Sequence, residues 1–278
     1  MNENGKYDKR NKLNDLTGKE WIKLTKSYWI SEKCKEDKFA YNHPAPFMVK
    51  DIEKLITMFT KSGNNVLDPF VGSGTTLIAS GNTHRIGYGI DLSEEYIALC
   101  GERIKSKNLQ IGRDCYLFQG DSLKQLNKFT DEFFDYIVTS PPYHNILKNT
   151  ASGIRSDNSE KGYRNGTRQG IEYYSDKKND LGNQETFEEF LMLLKKIMRK
   201  VYKKLKSGKY CSIIISDFTV NKKEVCVQSY IVNMMESIGF DFVGTIVLLQ
   251  DNKPLYPFGY PYAYKINHHH QNIINFRK

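Results

Sequence analysis

Three aspartates, each at the end of a predicted β-strand, are the residues whose type and spacing most clearly indicate chemistry. Asp68 ends a short apolar strand and leads through a glycine turn, residues 69–74, into a helix that opens at Thr75. Asp91 ends the next predicted strand, and Asp121 follows the third. Parallel strands present their carboxyl ends at the sheet edge where open α/β folds bind ligands, and an acid about twenty residues past a glycine turn commonly holds ribose hydroxyls. One aspartate after a strand is usually a helix cap, but a series of three favours a ligand site.

The glycine turn differs from the loops that bind phosphate groups. Its sequence, Asp-Pro-Phe-Val-Gly-Ser-Gly-Thr-Thr, is not Gly-x-Gly-x-x-Gly and lacks the lysine of a nucleotide-triphosphate loop. Glycines at this place let a ligand approach the backbone closely. Because a carboxylate beside the turn would repel a pyrophosphate, the motif favours a cationic ligand.

A second motif follows the fourth predicted strand, where Ser140, Pro141, Pro142 and Tyr143 stand in a row. Two consecutive prolines fix the backbone and remove two N–H donors, so their carbonyls are left as bare acceptors. A polar side chain precedes them and an aromatic ring follows. An ordinary proline-rich strand exit would look similar, but this one lies one strand beyond the predicted ligand turn.

Together, the two motifs resemble those of the amino-methyltransferase family of DNA methyltransferases, which use S-adenosylmethionine. The resemblance covers roughly residues 40–278 and includes the segment 43–47, which resembles the part of the family that packs on the methionine end of the cofactor. It implies that Asp91 binds the ribose, that Asp121 binds the adenine, and that Asp68 lies near the methionine portion. The full set of implied cofactor-binding residues is Pro46, Phe47, Asp68, Phe70, Gly72, Gly74, Thr75, Asp91, Leu92, Asp121 and Ser122.

In the same way, the resemblance implies that residues 140–143 are catalytic and hold the target base. An exocyclic base amine is a poor nucleophile, because its lone pair is delocalised into the ring. Acceptors from Ser140 and the Pro141 carbonyl could hold both amine hydrogens and aim the nitrogen at the methyl group, which is catalysis by positioning and electrostatics. Tyr143 would stack on a base that has been flipped out of the duplex.

The motif favours one base and leaves others open. In this family Ser at its first position tends to accompany methylation of cytosine N4, whereas Asp or Asn accompanies adenine N6. RNA amines and a protein glutamine amide are further alternatives, and so is a catalytically silent, cofactor-binding recognition subunit. A ring-carbon methylase is disfavoured because none of the five cysteines follows a proline.

The elements that must position these motifs alternate between helix and strand. Apolar spacing predicts helices at 51–59, 75–80, 93–107, 186–205 and 224–238, and strands at 65–68, 85–90, 115–119, 134–139, 210–216, 242–249 and 273–276. We therefore expect an α/β, Rossmann-like methyltransferase fold. It should have a seven-stranded, mostly parallel sheet, a C-terminal antiparallel hairpin and helices on both faces.

Two polar segments flank or interrupt this pattern. Residues 1–38 form a basic N-terminal arm that contains two tryptophans, so part of it should pack on the methyltransferase domain, residues 39–278. An inserted polar loop, residues 144–185, is the main candidate for DNA contact, because no long recognition region follows the last strand. The predicted nucleic-acid-binding residues, which could lie on phosphates, are Lys148, Arg155, Lys161, Arg164 and Arg168. A solvated insertion is the alternative, and the arm could share the task.

The composition agrees with a nucleic-acid partner. The 278 residues carry a formal net charge of +9, which favours an anionic partner, and double-stranded DNA is the first choice. Neither a signal peptide nor a membrane helix is visible, and the scattered cysteines predict a reducing cytoplasm. The histidine run 268–270 is not expected to bind metal, and the basic run 195–209 is expected to be a solvated helix face. A cognate restriction endonuclease is a conceivable partner.

Overall fold

A computed structural model describes residues 5–37, 47–144, 177–220, 223–251 and 253–278. Its α-helices are α1 Gly18–Leu24, α2 Val49–Phe59, α3 Thr75–Asn82, α4 Glu94–Ser106, α5 Ser122–Gln125, α6 Phe187–Lys204 and α7 Val227–Glu236. Its strands are β1 Tyr28–Ile30, β2 Asn65–Asp68, β3 Ile86–Asp91, β4 Cys115–Gln119, β5 Phe134–Thr139, β6 Leu205–Ile215, β7 Phe218–Val220, β8 Lys223–Val225, β9 Asp241–Leu249 and β10 His270–Arg277. No helix within these ranges is both long and apolar enough to cross a bilayer.

One large sheet organises the described chain, with the strand order β1-β9-β10-β6-β5-β2-β3-β4. Strand β10 is antiparallel to both of its neighbours, and the other pairs are parallel. The predicted α/β fold, with a mostly parallel sheet and a C-terminal antiparallel hairpin, is therefore confirmed. The sheet order reverses direction between β5 and β2, which is the kind of point where open α/β sheets bind ligands.

The strand count differs from the prediction because the N-terminal arm contributes an eighth strand. Strand β1 pairs in parallel with the end of β9, and its central residue Trp29 is buried. Upstream, the buried Asn14 donates from Nδ2 to the Met58 carbonyl at 2.7 Å. The arm is thus partly packed on the sheet, as its tryptophans predicted. The domain boundary at residue 38 stays a prediction, since residues 38–46 lie outside the described residues.

Helices cover both faces of the sheet, and the burial pattern of the central strands shows why. Successive residues of β5 point to opposite faces, so Ile137 joins one hydrophobic cluster and Val138 joins another. The first cluster contains the apolar faces of α6 and α7, and the second contains that of α2. A strand that is buried on both faces has a nearly continuous apolar sequence, and the sequence of β5 largely has this property.

Three predicted starts were wrong by three residues or more, and one of them is that of β10, which begins at His270 rather than at residue 273. Strand β6 begins at Leu205 rather than at residue 210, because the chain leaves α6 directly into pairing with Phe134 of β5. Helix α7 begins at Val227, because residues 223–225 form a short antiparallel hairpin with residues 218–220. The predicted polar loop falls mostly on residues 145–176, so its five basic residues lie outside the described residues.

Candidate active site and cofactor pocket

An open pocket of about 700 Å³, a volume that includes its solvent-filled mouth, lies at the carboxyl ends of β2, β3, β4 and β5. It brings together most of the strand-end residues that the sequence singled out and several that it did not. Its lining residues are Phe70, Asp91, Leu92, Ser93, Tyr96, Asp121, Ser122, Ser140, Pro141, Pro142, Tyr143, Asn179, Asp180, Leu181 and Ile197. The two sequence motifs therefore share one pocket.

The glycine turn between β2 and α3 adopts a backbone that side chains would not tolerate. Gly74, the N-cap of α3, has φ +87°, and a Cβ there would collide with the Cys100 sulfur. Gly72 also has a positive φ, and its N–H donates to Asp91 Oδ2 at 2.8 Å. The turn is thus pressed against α4 and fastened to the end of β3, which gives the pocket a rigid floor.

Asp91 is the acid that opens most directly into the pocket. Its Oδ1 accepts from the Ser93 N–H at 2.9 Å and its Oδ2 accepts from Gly72, so the carboxylate is held in one orientation. Burial raises the pKa of Asp91 from 3.8 to about 6. Each carboxylate oxygen can accept more than one hydrogen bond, so capacity remains for hydroxyl donors of a ligand.

Asp68 is placed differently, beneath the turn instead of in the pocket lining. Its Oδ1 accepts from Thr139 Oγ1 and its Oδ2 from Thr76 Oγ1, each at 2.6 Å. Its side chain is buried, which raises the pKa of Asp68 to about 6. Asp68 thereby ties β2 to β5 and α3. Its predicted role near the methionine portion stays a prediction.

Asp121 and Ser122 shape the far side of the pocket. Asp121 caps α5 by accepting from the Leu123 N–H at 2.8 Å, and its Oδ2 accepts from Asn179 Nδ2 at 2.9 Å. Ser122 donates to the Pro69 carbonyl at 2.6 Å, which fixes the first residues of the glycine turn. Asp121 is therefore both a helix cap and a pocket acid, and the two interpretations of such aspartates are compatible here.

Three further predicted cofactor residues lie around the turn. Thr75 donates from Oγ1 to the Phe47 carbonyl at 3.4 Å, so the segment ending at Phe47 lies against the start of α3. Phe70 and Leu92 line the pocket, where they present apolar surface. Pro46 lies outside the described residues.

The buried Arg103 of α4 is a supporting residue that sequence reasoning missed. Its Nη1 donates to the Ser73 carbonyl at 2.6 Å, to Ser73 Oγ at 2.9 Å and to Thr75 Oγ1 at 3.1 Å. Its Nη2 donates to the Glu36 carbonyl at 3.2 Å. Burial lowers the pKa of Arg103 from its usual range. A single arginine near the end of a helix gives no sequence signal of this kind, since only the fold places it under the glycine turn.

The Ser-Pro-Pro-Tyr turn follows β5 and forms the opposite wall of the pocket. Ser140 lines the pocket, and its hydroxyl makes no hydrogen bond within the part of the chain that the structure describes. Tyr143 is largely buried, and its Oη accepts from the Ser216 N–H at 3.2 Å and from Gln271 Nε2 at 3.1 Å. Its ring meets Phe218 edge-on, with 5.7 Å between centroids. Tyr143 is therefore fixed by β6 and β10 before any base arrives.

The charge of the pocket is one-sided. Its described lining contains three aspartates, Asp91, Asp121 and Asp180, and neither a lysine nor an arginine. Such a lining disfavours a phosphate ligand and favours a cation. Asn179 and Asp180 were not predicted as pocket residues, since they lie within the predicted polar loop 144–185 and follow no strand-end pattern. A sulfonium with an adenosine moiety would fit these groups, because carboxylates would offset its charge, its hydroxyls would find acceptors, and Phe70 and Leu92 offer apolar surface.

The other charged features do not form a second site among the described residues. Lys200 of α6 donates to the Leu123 carbonyl at 2.6 Å, and Lys204 pairs with Asp131 at 2.7 Å. The basic helix face is thus partly engaged with the domain itself. His268 pairs with Glu224 at 2.9 Å, and the described residues contain no group of three metal-ligating side chains.

Comparison with known proteins agrees with this site. The N6_N4_Mtase family model, described as DNA methylase, matches residues 1–102 and 134–278. Type II methyltransferase M2.DpnII of Streptococcus pneumoniae is 36% identical over 103 residues, which is 37% of this chain and 36% of that protein. Orphan methyltransferase M.BamHII of Bacillus amyloliquefaciens is 39% identical over 75 residues, or 27% of this chain and 28% of that protein. The match spans about a third of the length of these relatives.

Among solved structures, TrmN from Thermus thermophilus has a TM-score of 0.52 and 15% sequence identity, covering 88% of this chain and 52% of that one. This likeness concerns the fold. The structure is thus a Rossmann-like methyltransferase fold with an acidic pocket at its switch point. The chain belongs to the N6/N4 DNA methylase family, and its cofactor is S-adenosylmethionine.

Proposed function

We propose that this protein is a site-specific DNA methyltransferase that modifies the N4 amine of cytosine. The observation that supports this most is the Ser140 hydroxyl, which lines the same pocket as Asp91 and Asp121 and has no hydrogen-bond partner among the described residues. A hydroxyl without an internal partner can accept one amine hydrogen of a base, while the Pro141 carbonyl accepts the other. Serine at this position is the feature that favours cytosine.

Different pocket residues would bind different parts of the cofactor. Bound S-adenosylmethionine supplies an electrophilic methyl group on a sulfonium. Asp91 would accept from the ribose hydroxyls, Asp121 and Ser122 would flank the adenine, and Phe70 with the glycine turn would border the methionine portion. Because the acceptors are fixed by Gly72, Ser93 and Asn179, little reorganisation would accompany binding.

The Ser-Pro-Pro-Tyr turn would then position the base. Ser140 and Pro141 would hold the amine, and neither has to remove a proton before the nitrogen attacks, so the contribution is orientation. Tyr143 would contact the ring of the base; its hydrogen bonds to Ser216 and Gln271 keep that ring from turning. A target base within a duplex would have to be flipped out, since a stacked base cannot enter a concave pocket.

Two rival functions lead to different outcomes. Methylation of adenine N6 would use the same acceptors, and serine is the only residue here that argues against it. A catalytically silent recognition subunit would have no use for an intact Ser-Pro-Pro-Tyr turn. The proposal also includes double-stranded DNA as substrate, a cytoplasmic location and a possible cognate restriction endonuclease, each on the grounds given by the sequence.

Nucleoside mass spectrometry after incubation with cofactor and genomic DNA tests the proposal, because it identifies the base and the atom together. We expect N4-methylcytosine. N6-methyladenine in its place would refute the choice of base, and no methylated nucleoside, despite measurable cofactor binding, would favour the silent subunit. Matched incubations with total RNA and with protein extract detect the remaining substrates.

A further inference from the structure

The connection between β9 and β10 carries the largest group of exposed rings in the described chain. We call residues 253–267 the tyrosine loop. Tyr260, Tyr262 and Tyr264 are 77%, 89% and 89% exposed, and Leu255 is 76% exposed. Aromatic rings usually bury their apolar faces, and contiguous exposed apolar surface marks an interaction site.

The loop has a defined shape that keeps these rings outward. Asn267 joins the two ends of the loop: its side chain accepts from the Tyr256 N–H at 2.9 Å and donates to the Tyr256 carbonyl at 2.8 Å. At its tip the N–H groups of Tyr262 and Ala263 donate to the Gly259 carbonyl at 2.8 and 2.7 Å. Gly259 has φ +78°, and a Cβ there would strike the Ala263 carbonyl. The exposed rings therefore belong to a turn whose backbone is held by hydrogen bonds.

The charge of this segment identifies the kind of partner. Residues 252–270 contain no acidic residue, two lysines and three histidines, within a chain of net charge +9. Rings flanked by cations suit stacking on bases along a polyanion, and such stacking tolerates any sequence because every base has a π-face. A second protein surface would gain less from the lysines.

The loop is also continuous with the proposed catalytic turn. Its C-terminal side runs through His270 into Gln271, whose Nε2 donates to Tyr143 Oη at 3.1 Å. On its N-terminal side, Gln250 Nε2 donates to Gln271 Oε1 at 3.1 Å. The residues at both ends of the loop are therefore linked by hydrogen bonds to Tyr143, which lines the pocket.

From these observations we infer that the tyrosine loop is a nucleic-acid contact that stacks on bases left unstacked beside the target. The inference rests on the proposed function and adds a substrate-contacting element to it. Bases next to a flipped nucleotide lose a stacking neighbour, and the outward tyrosines replace it. This contact differs in kind from the predicted phosphate contacts of Arg155, Arg164 and Arg168.

Fluorescence anisotropy with the full chain tests the inference, using a labelled mixed-sequence single strand and the matching fully paired duplex. Changing Tyr260, Tyr262 and Tyr264 together to Ala should weaken binding of the single strand at least tenfold, since one base–aromatic stack is worth roughly 5- to 150-fold. The matched triple change to Phe keeps the rings and should stay within about threefold of wild type. The salt dependence should not change, because no phosphate contact is lost.

Three outcomes would overturn the inference: unchanged single-strand affinity in the Ala variant, an equal loss in the Phe variant, or a flatter salt dependence. Light scattering adds a fourth, since a wild-type dimer that becomes a monomer in the Ala variant would make the loop a self-association surface. Cofactor affinity and melting temperature of each variant establish that the domain is intact. Failure of the proposed function looks different, because the wild-type protein would then bind oligonucleotides without methylating DNA.

Discussion

The two ends of the pocket are built in opposite ways. At the cofactor end, three charged residues form hydrogen bonds with the glycine turn and its neighbours. They are the buried Asp68 and Arg103 and the partly buried Asp91. At the base end, the Ser140 hydroxyl has no partner among the described residues, and the tyrosine loop, which is linked to Tyr143 through Gln271, exposes its rings. Tyr143 itself is the exception at this end, because its hydroxyl accepts from Ser216 and Gln271.

This difference matches what each end has to bind. A small cofactor of constant shape is best met by a preorganised site, because fixed acceptors lose little freedom on binding. A nucleic acid has to enter the site, be opened there and leave again. The protein therefore needs polar groups at this end that form their hydrogen bonds only in the complex. Mutations at the first end should therefore affect stability and cofactor affinity, whereas mutations at the second end should affect turnover and nucleic-acid binding.

Ser140→Ala should produce the largest effect and the cleanest separation. We expect turnover to fall about a hundredfold to a thousandfold, the range for losing one preorganised hydrogen-bond partner at a reacting group. Cofactor affinity and melting temperature should match wild type, because no intramolecular hydrogen bond is removed. Single-turnover methylation and calorimetry on the same preparations measure these quantities. Full turnover in the variant would contradict the catalytic role of Ser140.

Arg103→Met should show the opposite pattern. The change removes the charged hydrogen bonds to Ser73 and Thr75 and leaves the buried Ser73 carbonyl without its donor, so the free energy of unfolding should fall by about 3 kcal/mol. Cofactor affinity should fall with it, because the glycine turn is no longer braced. Denaturant unfolding is the measurement, and Arg113→Met is the control, since Arg113 forms only a surface pair with Asp114. Equal unfolding curves for both variants would show that Arg103 does not brace the turn.

Asp91→Asn should weaken cofactor binding by about 1.5–3 kcal/mol, the range for hydrogen bonds to a charged group. It should also change the pH dependence. The pKa of Asp91 in the folded protein is about 6, so wild-type affinity for a cationic cofactor should fall as the pH drops through 6 and the carboxylate is neutralised. Calorimetric titrations across this range should show a flatter profile for the asparagine variant.

Titration of Asp91 should also change the stability of the cofactor-free protein, and in the direction opposite to the change in cofactor affinity. A carboxyl whose folded pKa lies above its unfolded value of 3.8 binds protons more readily when folded. Its stabilising contribution is therefore complete below the unfolded pKa and disappears as the pH rises through about 6. Affinity and stability changes of the same sign would be inconsistent with a buried, functional Asp91.

Tyr143→Phe should give the smallest effect. The ring remains available for stacking, but the Ser216 N–H and the Gln271 amide lose their acceptor, so unfolding should become easier by about 1 kcal/mol. Turnover should fall only a few-fold. Tyr143→Ala removes the ring as well and should cost far more activity. Tyr230→Phe serves as the control, because Tyr230 is half exposed. A drop in activity for Tyr143→Phe as large as that for Ala would assign the function to the hydroxyl and not to the ring.

The strands that carry the motifs could be predicted from the sequence. The spans 65–68, 115–119 and 134–139 coincide with β2, β4 and β5, because each is a short, largely apolar run that ends in a turn. The positions of Asp91, Asp121 and Ser140 on one pocket follow from those strands, since parallel carboxyl ends meet at one edge.

The remaining features depend on distant partners that local patterns do not encode. Three residues such as β1 form a strand only because β9 is available to pair with them. Asn179 reaches the pocket through its bond to Asp121, and Arg103 reaches the glycine turn from a different helix. Their residue types are ordinary for an exposed loop and for the last turn of a helix, so no spacing rule singles them out.

The pairing of β1 with β9 also has a consequence for biosynthesis. Residues 28–30 are synthesised long before their partners, residues 247–249. The outer part of the sheet therefore cannot form until the ribosome has passed residue 249, and β1 stays unpaired until then. Contacts between such distant segments slow folding. A methylase assembled in this order completes its outer edge after its central strands have been made.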